Sequence, residues 1–297
     1  MKDEPISALR LHPSSFVLHP SLLAERLRAD PRCTWIMGIL NITPDSFFDA
    51  GSLPNHEAAR ACAEAMAADG VDILDVGGES SRPGADPVSV DLECARVEPV
   101  IKAILPLGVP ISIDTYHAET ARRALRLGVR MVNAISALRH DSEMAGVVEE
   151  AGCDCVLMHM LGVPKTMQQQ PRYANVVDDL CAFFEERIAY AVRAGIREEA
   201  LWLDPGFGFG KTVEHNLTIL RELHAFTRFG KPVLIGTSNK STIGAILNTP
   251  VNDRTEGTAA TVAAAIVSGA ACVRVHDVHA MARVARMTDA IVYGLRK

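Results

Sequence analysis

Short apolar runs rich in β-branched residues alternate along this chain with longer stretches whose apolar positions recur every three or four residues. The runs are WIMGILNI (35–42), VDILDVGG (71–78), ISIDT (111–115), MVNAIS (131–136), CVLMHM (155–160), LWLDPG (201–206), PVLIGTS (232–238) and CVRVHDV (272–278). Between them lie segments such as HEAARACAEAMAADG and AETARRALRLG, helical in spacing and closed by a glycine before the next run. Strands that are apolar on both faces and separated by helices predict a parallel sheet covered on both sides. Eight repeats of this unit match an α/β fold of the (β/α)8 TIM barrel type, since a doubly wound sheet usually stops at about five to seven strands. One barrel domain is expected over residues 35–297. Residues 1–34 form an N-terminal extension, either a lid over the bottom of the barrel or a loose lead.

Composition narrows the partners. The chain has 297 residues, a net charge of -6 and a pI near 5.9, so no basic surface is offered to a nucleic-acid backbone. Seven cysteines, odd in number and without a Cys-x-x-Cys pair, suggest reduced, buried thiols in a cytoplasmic protein. The start, MKDEPISALRLHP, lacks the basic head and apolar run of a signal peptide. The most apolar segment, GTAATVAAAIVSGAACV (257–273), runs into Arg274, His276 and Asp277. It therefore predicts a buried helix and strand, with no membrane span.

The candidate chemistry sits at the ends of the runs. Asn41, Asp75, Asp114, Asn133, His159, Asp204, Ser238, Arg274 and His276 close them, and in a barrel those ends share one mouth. A single strand-end Asp or Asn is as well explained as a helix cap. A polar group at every end is harder to explain by capping, because each unpaired one costs about 1–3 kcal/mol when buried. Asp114 and Asp204 with Asn133 suit a flat heterocycle carrying guanidine-like N–H donors beside acceptors. Arg274 and His276, two apart and so on one side of the last strand, stand beside Asn41 and suit a phosphate group with Mg2+.

GFGFGKT (206–212) resembles a phosphate loop, but a Walker loop needs glycine where Pro205 stands, and a dinucleotide fingerprint needs glycine where Lys211 stands. The expected role of this turn is close backbone approach to a ligand held by Asp204, with Phe209 offering a ring face. The loops TPDSFFDAG (43–51) and SSRPGA (80–85) suit lids over the site.

MGILNITPDSFFDAG, DILDVGGESSRPGA, ISIDT, VLMHMLGVPKTMQ, LDPGFGFGKTVEHNL, the Lys240–Ser241 pair in GTSNKSTIG and RVHDV, in that order over residues 35–290, resemble the dihydropteroate synthases. The resemblance implies condensation of 6-hydroxymethyl-7,8-dihydropterin pyrophosphate with p-aminobenzoate, assisted by Mg2+, in a homodimer. It places Asp114, Asn133, Met158, Asp204 and Lys240 around the pterin. Asn41, the Mg2+ ligand, would join Arg274 and His276 on the pyrophosphate. Phe47, Ser81, Arg82, Pro83, Phe209 and Ser241 would enclose the p-aminobenzoate. The residues implied for catalysis are Asn41, Arg274, His276 and Lys240.

Three positions depart from the family's usual pattern: Ser81 for threonine, Asn239 for arginine and Ala134 for an acid. Asn239 and Ala134 leave a catalytically weak pterin-binding paralogue as one alternative. A corrinoid methyltransferase of the same barrel type is another, but it has no use for a pyrophosphate cradle.

Overall fold

The computed structural model describes residues 22–43, 56–80, 85–163 and 165–295. Its eight strands are β1 (Trp35–Asn41), β2 (Ile73–Gly77), β3 (Ile111–Asp114), β4 (Met131–Ala134), β5 (Asp154–Met158), β6 (Leu201–Asp204), β7 (Leu234–Ile235) and β8 (Cys272–Val275). They pair in parallel in the order β6-β5-β4-β3-β2-β1-β8-β7. A parallel bridge between Leu203 and Val233 brings the two outer strands together, and the Leu203 amide donates to Pro232 O at 2.9 Å. The eight-unit alternation is thus a TIM barrel. The expected PVLIGTS strand contracts to Leu234–Ile235 because the Lys240 amide turns back onto Thr237 O at 3.2 Å.

The outer layer comprises α2 (His56–Ala68), α3 (Val90–Ile104), α4 (Ala118–Arg126), α5 (Met144–Ala151), α6 (Val176–Arg193), α7 (Val213–Arg221), α8 (Ser241–Leu247), α9 (Thr255–Val267) and α10 (Val278–Tyr293). Several starts are fixed by capping side chains: Ser89 for α3, Asn175 for α6, Thr212 for α7 and Asp277 for α10. The apolar segment 257–273 divides into α9 and β8, and no helix among the described residues is long and apolar enough to cross a membrane.

Alternation along the strands separates two cores. Outward residues such as Leu74, Val76, Val132, Ala134, Val273 and Val275 meet the helices. Inward residues at the strand starts, among them Met37, Ile73, Met131, Val156, Trp202 and Cys272, fill the lower barrel. A short helix from the N-terminal extension, α1 (Leu23–Ala29), adds Leu23, Ala24 and Leu27 to that inner cluster. Asp154 ties it in place, accepting from the amides of Leu23 (2.7 Å) and Ala24 (2.8 Å) and from Trp202 Nε1 (2.9 Å).

One carboxylate therefore satisfies three buried donors from two chain segments. Asp154→Ala should destabilise the fold by about 2–4 kcal/mol in urea denaturation, the scale of a lost helix cap plus stranded buried donors. The cavity at the opposite end of the barrel should keep its ligand affinity.

Candidate functional site

The strand C-termini surround a cavity of about 480 Å³ lined by Asn41, Asp114, Asn133, Met158, Asp204, Phe209, Lys240, Ser241, Arg274 and His276, among others. Every described residue implied for the site thus faces one space. Phe47, Ser81, Arg82 and Pro83 lie outside the described residues, as do the tips of both expected lids.

Alternation explains the gathering. Asn41, Asp114, Asn133, Met158, Asp204 and Arg274 all occupy inward positions near the ends of their strands, above the apolar lower layer. Ala134, one step from Asn133, faces the helices instead and is fully buried there. An acid at 134 would enter that apolar layer, so its absence takes nothing from the cavity.

Ionic pairs organise the floor. Arg274 Nε donates to Asp75 Oδ2 at 2.6 Å and Arg274 Nη2 to Asp114 Oδ2 at 2.7 Å. Asn133 Nδ2 also donates to Asp75 Oδ2, at 3.1 Å. Asp75 has no exposed surface and lies beneath the lining. The sequence marked it as a strand-end acid but gave no sign that it would pair across the barrel, since its partners are 58 and 199 residues away.

Burial dominates the acids. It raises the Asp114 carboxyl to about 7, against the pull of Arg274 and with further push from Asp75 and Glu93. It raises Asp204 to about 6, against the Gly206 amide and the charges of Lys240, Arg274 and Lys211. The Gly206 amide donates to Asp204 Oδ1 at 2.7 Å, leaving the other oxygen for a ligand. Carboxylates beside the partly buried guanidinium of Arg274 form a receptor for N–H donors when ionised.

The glycine-rich turn has a specific geometry. Gly206 has φ +68°, and a Cβ there would stand 1.9 Å from His159 O; at Gly210 (φ +65°) it would stand 2.6 Å from Leu161 Cβ. Only glycine lets the turn press against the β5 loop. Lys211 points inward: it is 3% exposed, and its Nζ meets His159 Nδ1 and Phe209 O, both at 3.0 Å. Burial, joined by Lys211 and Arg139, lowers His159 to about 2, so its ring stays neutral and accepts a hydrogen bond from the lysine Nζ. His159 is spent on this pair and does not line the cavity, contrary to the shared mouth expected of every strand end.

The turn thereby sets Phe209 with Lys240 Nζ 4.1 Å above its ring. Nearby, Ser238 Oγ bonds His276 Nδ1 at 2.9 Å and fixes the imidazole at the rim. Asn239 holds φ +57°, a left-handed conformation asparagine tolerates better than arginine. Arg254 Nη1 donates to its carbonyl at 2.8 Å, so a guanidinium from the start of α9 braces this loop from behind.

Against this geometry, residues 37–276 match the model of the family described as pterin binding enzyme. A dihydropteroate synthase of Synechocystis is 44% identical over 260 residues, covering 87% of this chain and 90% of that protein. The chain is also similar to the dihydropteroate synthase structure of Yersinia pestis with a sulfonamide drug complex. That likeness has a TM-score of 0.84 and 38% identity, covering 88% of this chain and 95% of that one. The Clostridium difficile enzyme, crystallised in the presence of pteroic acid, matches with a TM-score of 0.83 and 44% identity over 89% of this chain and 98% of that one.

Acids whose folded-state values are raised stabilise the fold fully below their unfolded values and lose that contribution as pH rises. The window runs from about 4 up to about 6 for Asp204 and about 7 for Asp114. Asp204→Asn should therefore make the ligand-free protein more stable at pH 8, on the order of 1–3 kcal/mol, with little difference at pH 4. Urea denaturation at the two pH values checks this; equal stability at pH 8 would show that Asp204 is not strained by burial.

Proposed function

The chain belongs to the dihydropteroate synthase family of pterin-binding enzymes, and we propose that it joins 6-hydroxymethyl-7,8-dihydropterin pyrophosphate to p-aminobenzoate, releasing pyrophosphate and 7,8-dihydropteroate. The observation that carries the reading is the coexistence, in one cavity, of acceptors for a heterocycle's N–H edge and a cationic rim.

Asp114, Asn133 and Asp204 suit the pterin edge, with Met158 against its face and Lys240 beside it. The pyrophosphate then falls toward Asn41, Arg274 and His276. Asn41 offers one neutral oxygen at that rim, a donor set that fits Mg2+, which prefers few protein ligands plus phosphate oxygens and water. When bound, Mg2+ would neutralise charge on the departing pyrophosphate. Arg274 and His276 would add hydrogen bonds that strengthen as the C–O bond breaks and charge collects on the leaving oxygens. Phe209 and Ser241 form the described wall where p-aminobenzoate would approach. Its neutral amine attacks the pterin methylene, the C–N bond forms and the amine proton is lost, so no strong base is required of the protein.

A homodimer and a cytoplasmic location complete the proposal. Val267, Met287 and Ile291 expose apolar side chains on the adjacent helices α9 and α10, and all seven cysteines are free.

Pyrophosphate release and dihydropteroate formation, measured with and without p-aminobenzoate and Mg2+, test the activity. Product should require both. Tight pterin binding without product would instead identify a non-catalytic relative. Asp204→Asn should weaken pterin binding by about 1.5–3 kcal/mol, the range for a hydrogen bond to a charged group. Isothermal titration without p-aminobenzoate measures this, and unchanged affinity would remove Asp204 from the pterin site.

A further inference from the structure

Asp75 touches no part of the cavity surface, yet it holds two residues that do. Its Oδ2 accepts from Arg274 Nε on β8 (2.6 Å) and from Asn133 Nδ2 on β4 (3.1 Å). We infer that Asp75 is the positioning residue of the pterin site, holding Arg274 when the ligand takes over Asp114 and deciding which end of the Asn133 amide faces the ligand. The inference rests on the pterin reading above and specifies how that site discriminates.

The first half follows from competition for one oxygen. Arg274 Nη2 donates to Asp114 Oδ2, and a ligand N–H bonding to Asp114 draws on the same carboxylate. Nε on Asp75 is independent of that exchange. Asp75 is fully buried, so Arg274 keeps a charged partner out of reach of ligand and solvent and stays aimed at the rim.

The second half follows from amide polarity. Turning the Asn133 amide over would set Oδ1 against the Asp75 carboxylate, two acceptors in contact. Asp75 therefore fixes Nδ2 toward itself. Asn133 Oδ1 is left buried and without a hydrogen-bond partner among the described residues. The ligand edge at Asn133 must then carry an N–H, which a pterin supplies and a purely acceptor edge does not.

Asp75→Asn keeps the size but removes the charge and lets the Asn133 amide turn over. The variant should bind the dihydropterin pyrophosphate at least tenfold more weakly in titrations without p-aminobenzoate, while the KM for p-aminobenzoate at saturating pterin stays within twofold. Unchanged pterin affinity, or equal losses for both substrates as from a general loosening, would overturn the inference. Should the variant fail to fold, NMR of the unmodified protein decides. The Arg274 Nε–H signal should remain protected from exchange when the pterin binds, and its loss on binding would overturn the assignment. Failure of the unmodified protein to bind the pterin would defeat the parent reading and this one together. Normal binding by the parent with an unaffected variant would defeat this one alone.

Discussion

A guanidinium bridging two carboxylates inside a closed barrel is the interaction on which the other features of this molecule depend. Arg274 spans from Asp75 on β2 to Asp114 on β3, tying the last strand to two early ones through the interior. Taking three charges from water costs several kcal/mol per ion, and attraction offsets that only where geometry is good and remaining polar atoms are satisfied. Here the geometry is good, but the satisfaction is incomplete: Asp75 Oδ1, Ser112 Oγ and Asn133 Oδ1 have no hydrogen-bond partner among the described residues. A core built for stability alone would have continued the Met, Ile and Trp layer upward. The polar layer is instead the part of the barrel given over to a ligand.

The lower half makes that arrangement affordable. Trp35, Trp202, Met37 and Met131 fill the barrel's base, and α1 closes it from below, its first amides held by Asp154. Asp154 and Asp75 are both buried acids on inward strand positions, but they face opposite tasks. Asp154 accepts three hydrogen bonds and is finished. Asp75 leaves an oxygen unmatched among the described residues and serves residues that must still meet a ligand. Counting satisfied acceptors separates the structural acid from the functional one where burial alone does not.

Most of the fold was legible because its signal is local. Each strand is an apolar run and several helix starts carry their own caps, so eight units can be counted without knowing which strands pair. The polar ends were legible for the same reason, since a barrel sends all of them to one mouth. What escaped was pairing across the barrel. Nothing in VDILDVGG distinguishes an Asp75 that caps a turn from one that grips Arg274, because the deciding partners lie 58 and 199 residues along. His159 escapes for the same reason: the strand end is where expected, but Lys211 draws the ring to itself.

Lys211 also shows why a sequence so close to a phosphate loop does different work. A phosphate-binding lysine must extend from its loop into the ligand's space, with water or phosphate as its other partners. In this turn Gly206 and Gly210 let the chain fold against the β5 loop so tightly that the lysine has nowhere to go but inward. There it finds a neutral imidazole nitrogen and the Phe209 carbonyl. Burial lowers its ammonium to about 7, with Asp204 opposing the shift, so the charge is kept partly by the very acid that faces the ligand. The glycines set the loop's shape, the lysine locks it, and the ring of Phe209 is delivered to the cavity wall as the result.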